Sequence, residues 1–158
     1  MNRGAIRQCR WREPGGLAEA LRIGGFLEAI GIAVEAGPVG ESVIPGMTVR
    51  LGRVRVDPQI AAYPGDLLHE AGHVAVSDPA RRATIEAIPV DPGDEMAAIA
   101  WSVAAAKACG TALETLFFDD GYKGNAGALR AAFGMTAEPR RAAEWGVPAF
   151  PEMTRWLR

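Results

Sequence analysis

Both histidines of this chain lie in the stretch DLLHEAGHVAV, residues 66–76, four positions apart and with Glu70 directly after the first. That spacing constrains the local fold more tightly than any other feature. In an α-helix, residues four apart stand one turn above each other on one face; in a strand they would be about 13 Å apart. Pro64 suits a first helical turn, and Leu67, Leu68, Val74 and Val76 supply apolar neighbours. A helix is therefore predicted from about Pro64 to about Val76. Gly72 inside it costs about 1 kcal/mol relative to alanine. A second helix crossing close by would explain the glycine, and the alanine-rich segment after Glu95 is the expected neighbour.

Two imidazoles one turn apart can converge on a single cation, and imidazole nitrogen suits zinc at bonds of roughly 2.0–2.1 Å. His69 and His73 are thus the expected ligands of a Zn2+ ion. Glu70 lies between them when the helix is viewed end-on. It cannot easily join them as a ligand, but it can reach a water beside the metal and act as general base. The bland alternative is a pair of core histidines with a surface glutamate. Each buried imidazole would then need its own hydrogen-bond partner, and a shared metal explains their adjacency better. Catalytic zinc usually takes three protein ligands. No histidine remains and no cysteine is well placed, so a carboxylate is expected. Glu95 is the first choice, because Ile99 and Ser102 share its helix face and let that face pack. Asp94 and Asp91 compete, since acids at a helix N-terminus are favoured by the helix dipole alone.

Elsewhere the chain mixes helices with short strands. Residues 1–16 read as an N-terminal arm, basic over residues 1–12 and closed by Pro14, Gly15 and Gly16. Residues 17–34 read as a helix with Leu17, Leu21, Phe26, Leu27 and Ile30 on one side; Gly24 and Gly25 weaken it, and a strand begins near Ile32 to Val34. Residues 37–46 form a loop. Residues 48–56, TVRLGRVRV, suit a hairpin turning at Gly52-Arg53. Val49, Leu51, Val54 and Val56 then share one face, and Arg50 opposes Arg55 on the other. That second face is either simply solvated or a place where an acidic partner meets the arginines. Residues 77–94 look mostly irregular. Residues 91–110 make the clearest helix, capped by Asp91, with Pro92 in its first turn and Gly110 at its end. Residues 111–120 are read as helical, broken by Gly121. Residues 125–134 are another short helix, capped by Asn125 and ended by Gly134. The tail, with Pro139, Pro148 and Pro151, reads as short turns on the surface.

The chain has 158 residues, 49% of them hydrophobic, enough to bury the core of one domain spanning residues 1–158. A net charge of −2 argues against a general nucleic-acid or membrane-surface role. No stretch approaches transmembrane length, and the N-terminus lacks an apolar run of signal-peptide length. Two cysteines, Cys9 and Cys109, make no disulfide framework. A reducing, cytoplasmic setting is expected, with neither nucleic acid nor membrane as a partner.

LLHEAGHVAV followed by EMAAIAWSVAA resembles the ImmA/IrrE-type zincin metallopeptidases over roughly residues 45–110. That family shows H-E-x-G-H on one helix and a later helix beginning E-x-x-A-N-x-F-A. Glu95 and Ala98 match the second pattern; Ile99, Trp101 and Ser102 stand where the family has asparagine, phenylalanine and alanine. The resemblance implies an α+β, zincin-like fold. A small sheet or hairpin would pack on the active-site helix, with further helices around it and a helical C-terminal appendage at about 111–158. It also implies Glu95 as the third zinc ligand. The expected activity is zinc-dependent hydrolysis of a peptide or protein substrate. An extended substrate backbone would lie along an exposed edge at residues 53–56. A second donor usually helps zinc to stabilise the oxyanion. Tyr122 is one candidate, beside Lys123 in a segment that also reads as a plain turn; Tyr63 reads as a packing or capping residue. The competing expectations are a zinc-containing regulatory or interaction module without turnover, and an α/β protein without metal.

Overall fold

The computed structural model describes residues 1–86, 92–119 and 156–157. Among them lie five α-helices and one three-stranded sheet: α1 (Asn2–Arg7), α2 (Gly16–Ala29), β1 (Val34–Ala36), β2 (Met47–Arg50), β3 (Arg53–Val56), α3 (Pro64–Val76), α4 (Pro92–Cys109) and α5 (Leu113–Leu116). The fold is mixed α+β. The two helices expected at 64–76 and 91–110 are present, and Gly110, with φ 76°, ends the second. The expected helix at 111–120 shortens to one turn. Asp91, Gly121, Tyr122, Lys123, the expected helix at 125–134 and the three tail prolines lie outside the described residues.

Every residue of α3 is buried. Met47, Val49, Val54 and Val56 of β2 and β3 pack on one side of it, while α2, α4 and α5 enclose the others; β1 lies against α1 and α2. The Gly72 backbone lies against α4, where an added Cβ would meet the Ala98 carbonyl oxygen at 2.6 Å. Gly65 likewise gives way to the backbone of Thr115 and Leu116 in α5. Such close approaches between helices need residues without side-chain bulk.

The hairpin corrects the expected turn. Leu51 and Gly52, with φ 50° and 71°, form the two-residue turn. Left-handed φ at both central residues matches a type I′ turn. Val49 therefore pairs with Val54, Arg50 with Arg53, and Thr48 with Arg55. The register differs from expectation by two residues, so the apolar face survives, but Leu51 leaves it for the exposed turn. Arg55 does not face Arg50. It binds Glu35 of β1 across the sheet, Nη2 to Oε1 2.6 Å, so an acid from the chain itself meets it. The strand order is β1-β3-β2, with β3 parallel to β1 and antiparallel to β2. Residues 53–56 are thus the central strand, paired on both sides, and not an edge on which a substrate could lie.

The expected N-terminal arm is built into the domain. Asn2 is buried and its side chain bonds Gly24 O, Ile32 O and Val34 N, tying α1 to α2 and β1. Ile6 packs into the space left by Gly24. On α2 the buried residues are Gly16, Ala20, Ile23, Gly24 and Leu27, whereas Leu17, expected on the apolar side, is exposed. Near the C-terminus, Trp156 packs edge-on against Phe26 and Trp101, and the Trp101 indole N–H donates to the Trp156 carbonyl at 2.9 Å. Neither cysteine is in a disulfide, and burial pushes the Cys9 thiol up to about 11. Among the described residues, no helix is long and apolar enough to cross a membrane.

Candidate metal centre

α3 carries its polar residues into the interior. His69, Glu70 and His73 are about 5% exposed, and Asp66, one turn earlier, is 7% exposed. Fully burying this many ionisable groups on one helix is costly unless they are partnered. The two imidazoles meet edge-on, ring planes at 89°, with their Nε2 atoms 3.3 Å apart. The α4 crossing at Gly72 brings Glu95 over them. Its Oε1 lies 3.2 Å from His69 Nε2 and its Oε2 3.1 Å from His73 Nε2.

His69, Glu70 and His73 form a cluster that could hold a metal ion, with donor atoms all within 4.8 Å of one another. Two carboxylates therefore compete for the third place. Glu95 has an oxygen within 3.2 Å of each ring nitrogen. Four ligands around a tetrahedral zinc, at bonds of roughly 2.0–2.1 Å, stand about 3.3–3.4 Å apart. The His69–His73, His69–Glu95 and His73–Glu95 contacts, at 3.3, 3.2 and 3.1 Å, are of this order, with each Glu95 oxygen meeting a different ring.

The electrostatics separate the two carboxylates. Hydrogen bonding to His69 and His73 holds the Glu95 carboxyl well below the usual carboxylate range. Burial pushes the Glu70 carboxyl up, against the pull of His69 and His73 and with the help of the Glu95 charge. Burial, then the Glu70 charge, pushes Asp66 up to about 8. Glu95 keeps 46% of its side chain exposed, so the site opens on the α4 side.

Asp94 is exposed, in the same turn as Glu95. Tyr63 occupies the residue before α3, stacked on Phe118 with ring centroids 3.8 Å apart and with Arg12 over its ring. That is the packing role expected for it. Two residues escaped the sequence reading. Asp66 was legible, because it lies four before Glu70 and seven before His73, on the same helix face. Arg82 was not. Its guanidinium bonds the carbonyls of Val74, Ala75 and Ser77 and so caps the C-terminus of α3, just beyond His73. The Ser77 hydroxyl bonds the His73 carbonyl. No periodic pattern marks such a contact. The chain matches no protein-family model, no curated protein and no solved structure.

Proposed function

We propose that the protein is a zinc-dependent hydrolase of the metallopeptidase type. The observation that carries this reading is the close triangle of His69 Nε2, His73 Nε2 and the Glu95 carboxylate, with the buried Glu70 beside it. The resemblance of residues 45–110 to zincin metallopeptidases supports it. His69, His73 and Glu95 would hold the ion. Zinc, when bound, polarises a carbonyl and lowers the pKa of water from about 15.7 towards about 7. Glu70 then takes the proton of the attacking water and passes it to the leaving amine. Its burial beside the two imidazoles keeps it close to both halves of that task. α4 sets the position of Glu95, and the close crossing at Gly72 sets the position of α4.

The near-complete burial of His69, Glu70 and His73 favours a second reading, a zinc-held regulatory or interaction module without turnover. The two part in one experiment. Zinc-loaded protein is incubated with a mixed peptide library, alongside Glu70→Gln, whose amide cannot accept the proton. The hydrolase reading expects cleavage by the wild type, reduced by about 10²- to 10⁴-fold in Glu70→Gln with zinc content unchanged. Cleavage that persists in Glu70→Gln would rule out the mechanism. A zinc-loaded wild type that cleaves nothing would favour the module.

A further inference from the structure

His73 stands in the last turn of α3, where a helix can no longer satisfy its own carbonyls. The final four carbonyls of a helix lack an intrahelical N–H and need partners from elsewhere. In α3 they belong to His73, Val74, Ala75 and Val76. Side chains of the loop that follows bind the first three. The Ser77 hydroxyl donates to the His73 carbonyl. Arg82 donates from Nε to Val74 O at 2.9 Å, and from Nη2 to Ala75 O at 3.3 Å and Ser77 O at 3.2 Å. The loop is folded so as to bring Arg82 back to this end. The Asp78 carbonyl accepts from the Arg81 and Arg82 amides at 3.0 and 2.9 Å, and its carboxylate accepts from the Ala80 amide at 2.9 Å. The β-hairpin holds the far side. Leu51 N–H donates to Ile85 O at 2.5 Å, and the Arg82 carbonyl lies so close to Gly52 that a Cβ there would meet it at 2.8 Å. Arg82 is thus half-buried and fixed from both directions.

We propose that Arg82 is a positioning residue of the metal centre: it clamps the last turn of α3 and so fixes the His73 ring against His69 and Glu95. The proposal rests on the metal-site reading and adds to it how the chain holds its own donors. His69 lies one turn deeper in α3, and Glu95 belongs to α4. Of the three donors, only His73 depends on the last turn. A turn that loosens carries His73 Nε2 away from Glu95 Oε2, now at 3.1 Å, and from His69 Nε2, now at 3.3 Å. Arginine suits the task because its donors are set in a rigid fork that can hold several carbonyls at once. A lysine ammonium is a point charge on a flexible stem. Either cation is favoured by the dipole at a helix C-terminus, so a cap that serves stability alone tolerates lysine, whereas a clamp that sets geometry does not.

The test titrates Co2+ into the full-length chain as wild type, Arg82→Lys, Arg82→Ala and Asn2→Ala. The visible absorption of bound Co2+ reports the number and geometry of its ligands. The expected result is binding weakened about 10- to 100-fold in Arg82→Ala and about tenfold in Arg82→Lys, with an altered spectrum at saturation in both. Arg82→Lys should keep an unfolding midpoint near that of the wild type, and it carries the test alone if Arg82→Ala does not fold. Asn2→Ala, which loosens α1 on α2 and β1, controls for lost stability and should keep the wild-type spectrum. Arg82→Lys with wild-type spectrum and an affinity within about twofold of the wild type overturns the proposal, because the cation alone then suffices. Unchanged binding in Arg82→Ala overturns it too, as does an equally altered spectrum in Asn2→Ala, and each of these leaves the metal-site reading intact. A wild type that takes up no Co2+ is a separate failure: the metal-site reading falls, and the positioning role falls with it.

Discussion

Asp66 shows at the scale of one residue how a chain holds a group that does not serve its stability. The Asp66 pKa in the folded chain is about 8, above the ordinary 3.8. The folded state therefore binds that proton more tightly than the unfolded state. The stability linked to it is fully present below about pH 4 and is lost as pH rises through about 8. Asparagine undergoes no such loss. In chelator-treated protein, Asp66→Asn should therefore melt above the wild type at pH 8, by an amount on the order of a few kcal/mol, and the gap should close towards pH 4. Thermal unfolding of the pair across that range checks it; a gap independent of pH would contradict the burial argument. Glu95 differs because it has partners. Two imidazoles at 3.1–3.2 Å hold it ionised, while Asp94 beside it stands exposed. Acids at adjacent positions of the first turn look equivalent to the dipole. The helix face they occupy decides which one reaches the histidines.

Two helices and their crossing make the site at the scale of elements. Gly72 lets the α4 backbone approach, and an alanine there would press its Cβ on the Ala98 carbonyl, a backbone atom that cannot swing aside. The gain in helix propensity, about 1 kcal/mol, should be outweighed by overpacking of about 1–3 kcal/mol. Gly72→Ala should therefore lower the unfolding midpoint, and it should weaken zinc binding as well, because Glu95 moves with α4. A stabilised variant with unchanged zinc affinity would show that the crossing does not set the site. Both helices were legible in the sequence, because proline at one end and a spaced apolar pattern or a terminal glycine mark them. The hairpin was legible only in its faces. A two-residue slip keeps Val49, Val54 and Val56 inward, so hydrophobic pattern alone cannot tell Leu51-Gly52 from Gly52-Arg53 as the turn. The central place of β3 depends on β1, which is three residues long and joins through parallel pairing with a distant segment. Nothing local in residues 53–56 signals that partner.

At the scale of the whole molecule, α3 lies at the centre and the N-terminal segment helps to enclose it. Asn2 bonds three backbone groups of α2 and the chain around β1 from a buried position. A polar residue at position 2 gives no sign of this in the sequence, where residues 1–12 read as a basic arm. Replacing it by alanine leaves those groups without their partner, and Asn2→Ala should cost about 2–4 kcal/mol in denaturant unfolding. A loss near zero would mean that the segment is a loose appendage after all. The candidate site was legible for the opposite reason. His69, Glu70 and His73 lie within one helix, so their chemistry depends on local spacing, and only Glu95 needed a tertiary contact to join them. The central claim is that this arrangement is a zinc site. Its most direct test is elemental analysis after equilibrium dialysis against zinc, on the wild type and on His69→Ala. The expected result is about one zinc per chain in the wild type and almost none in the variant; a wild type that takes up no zinc, or a variant that keeps it, would contradict the claim.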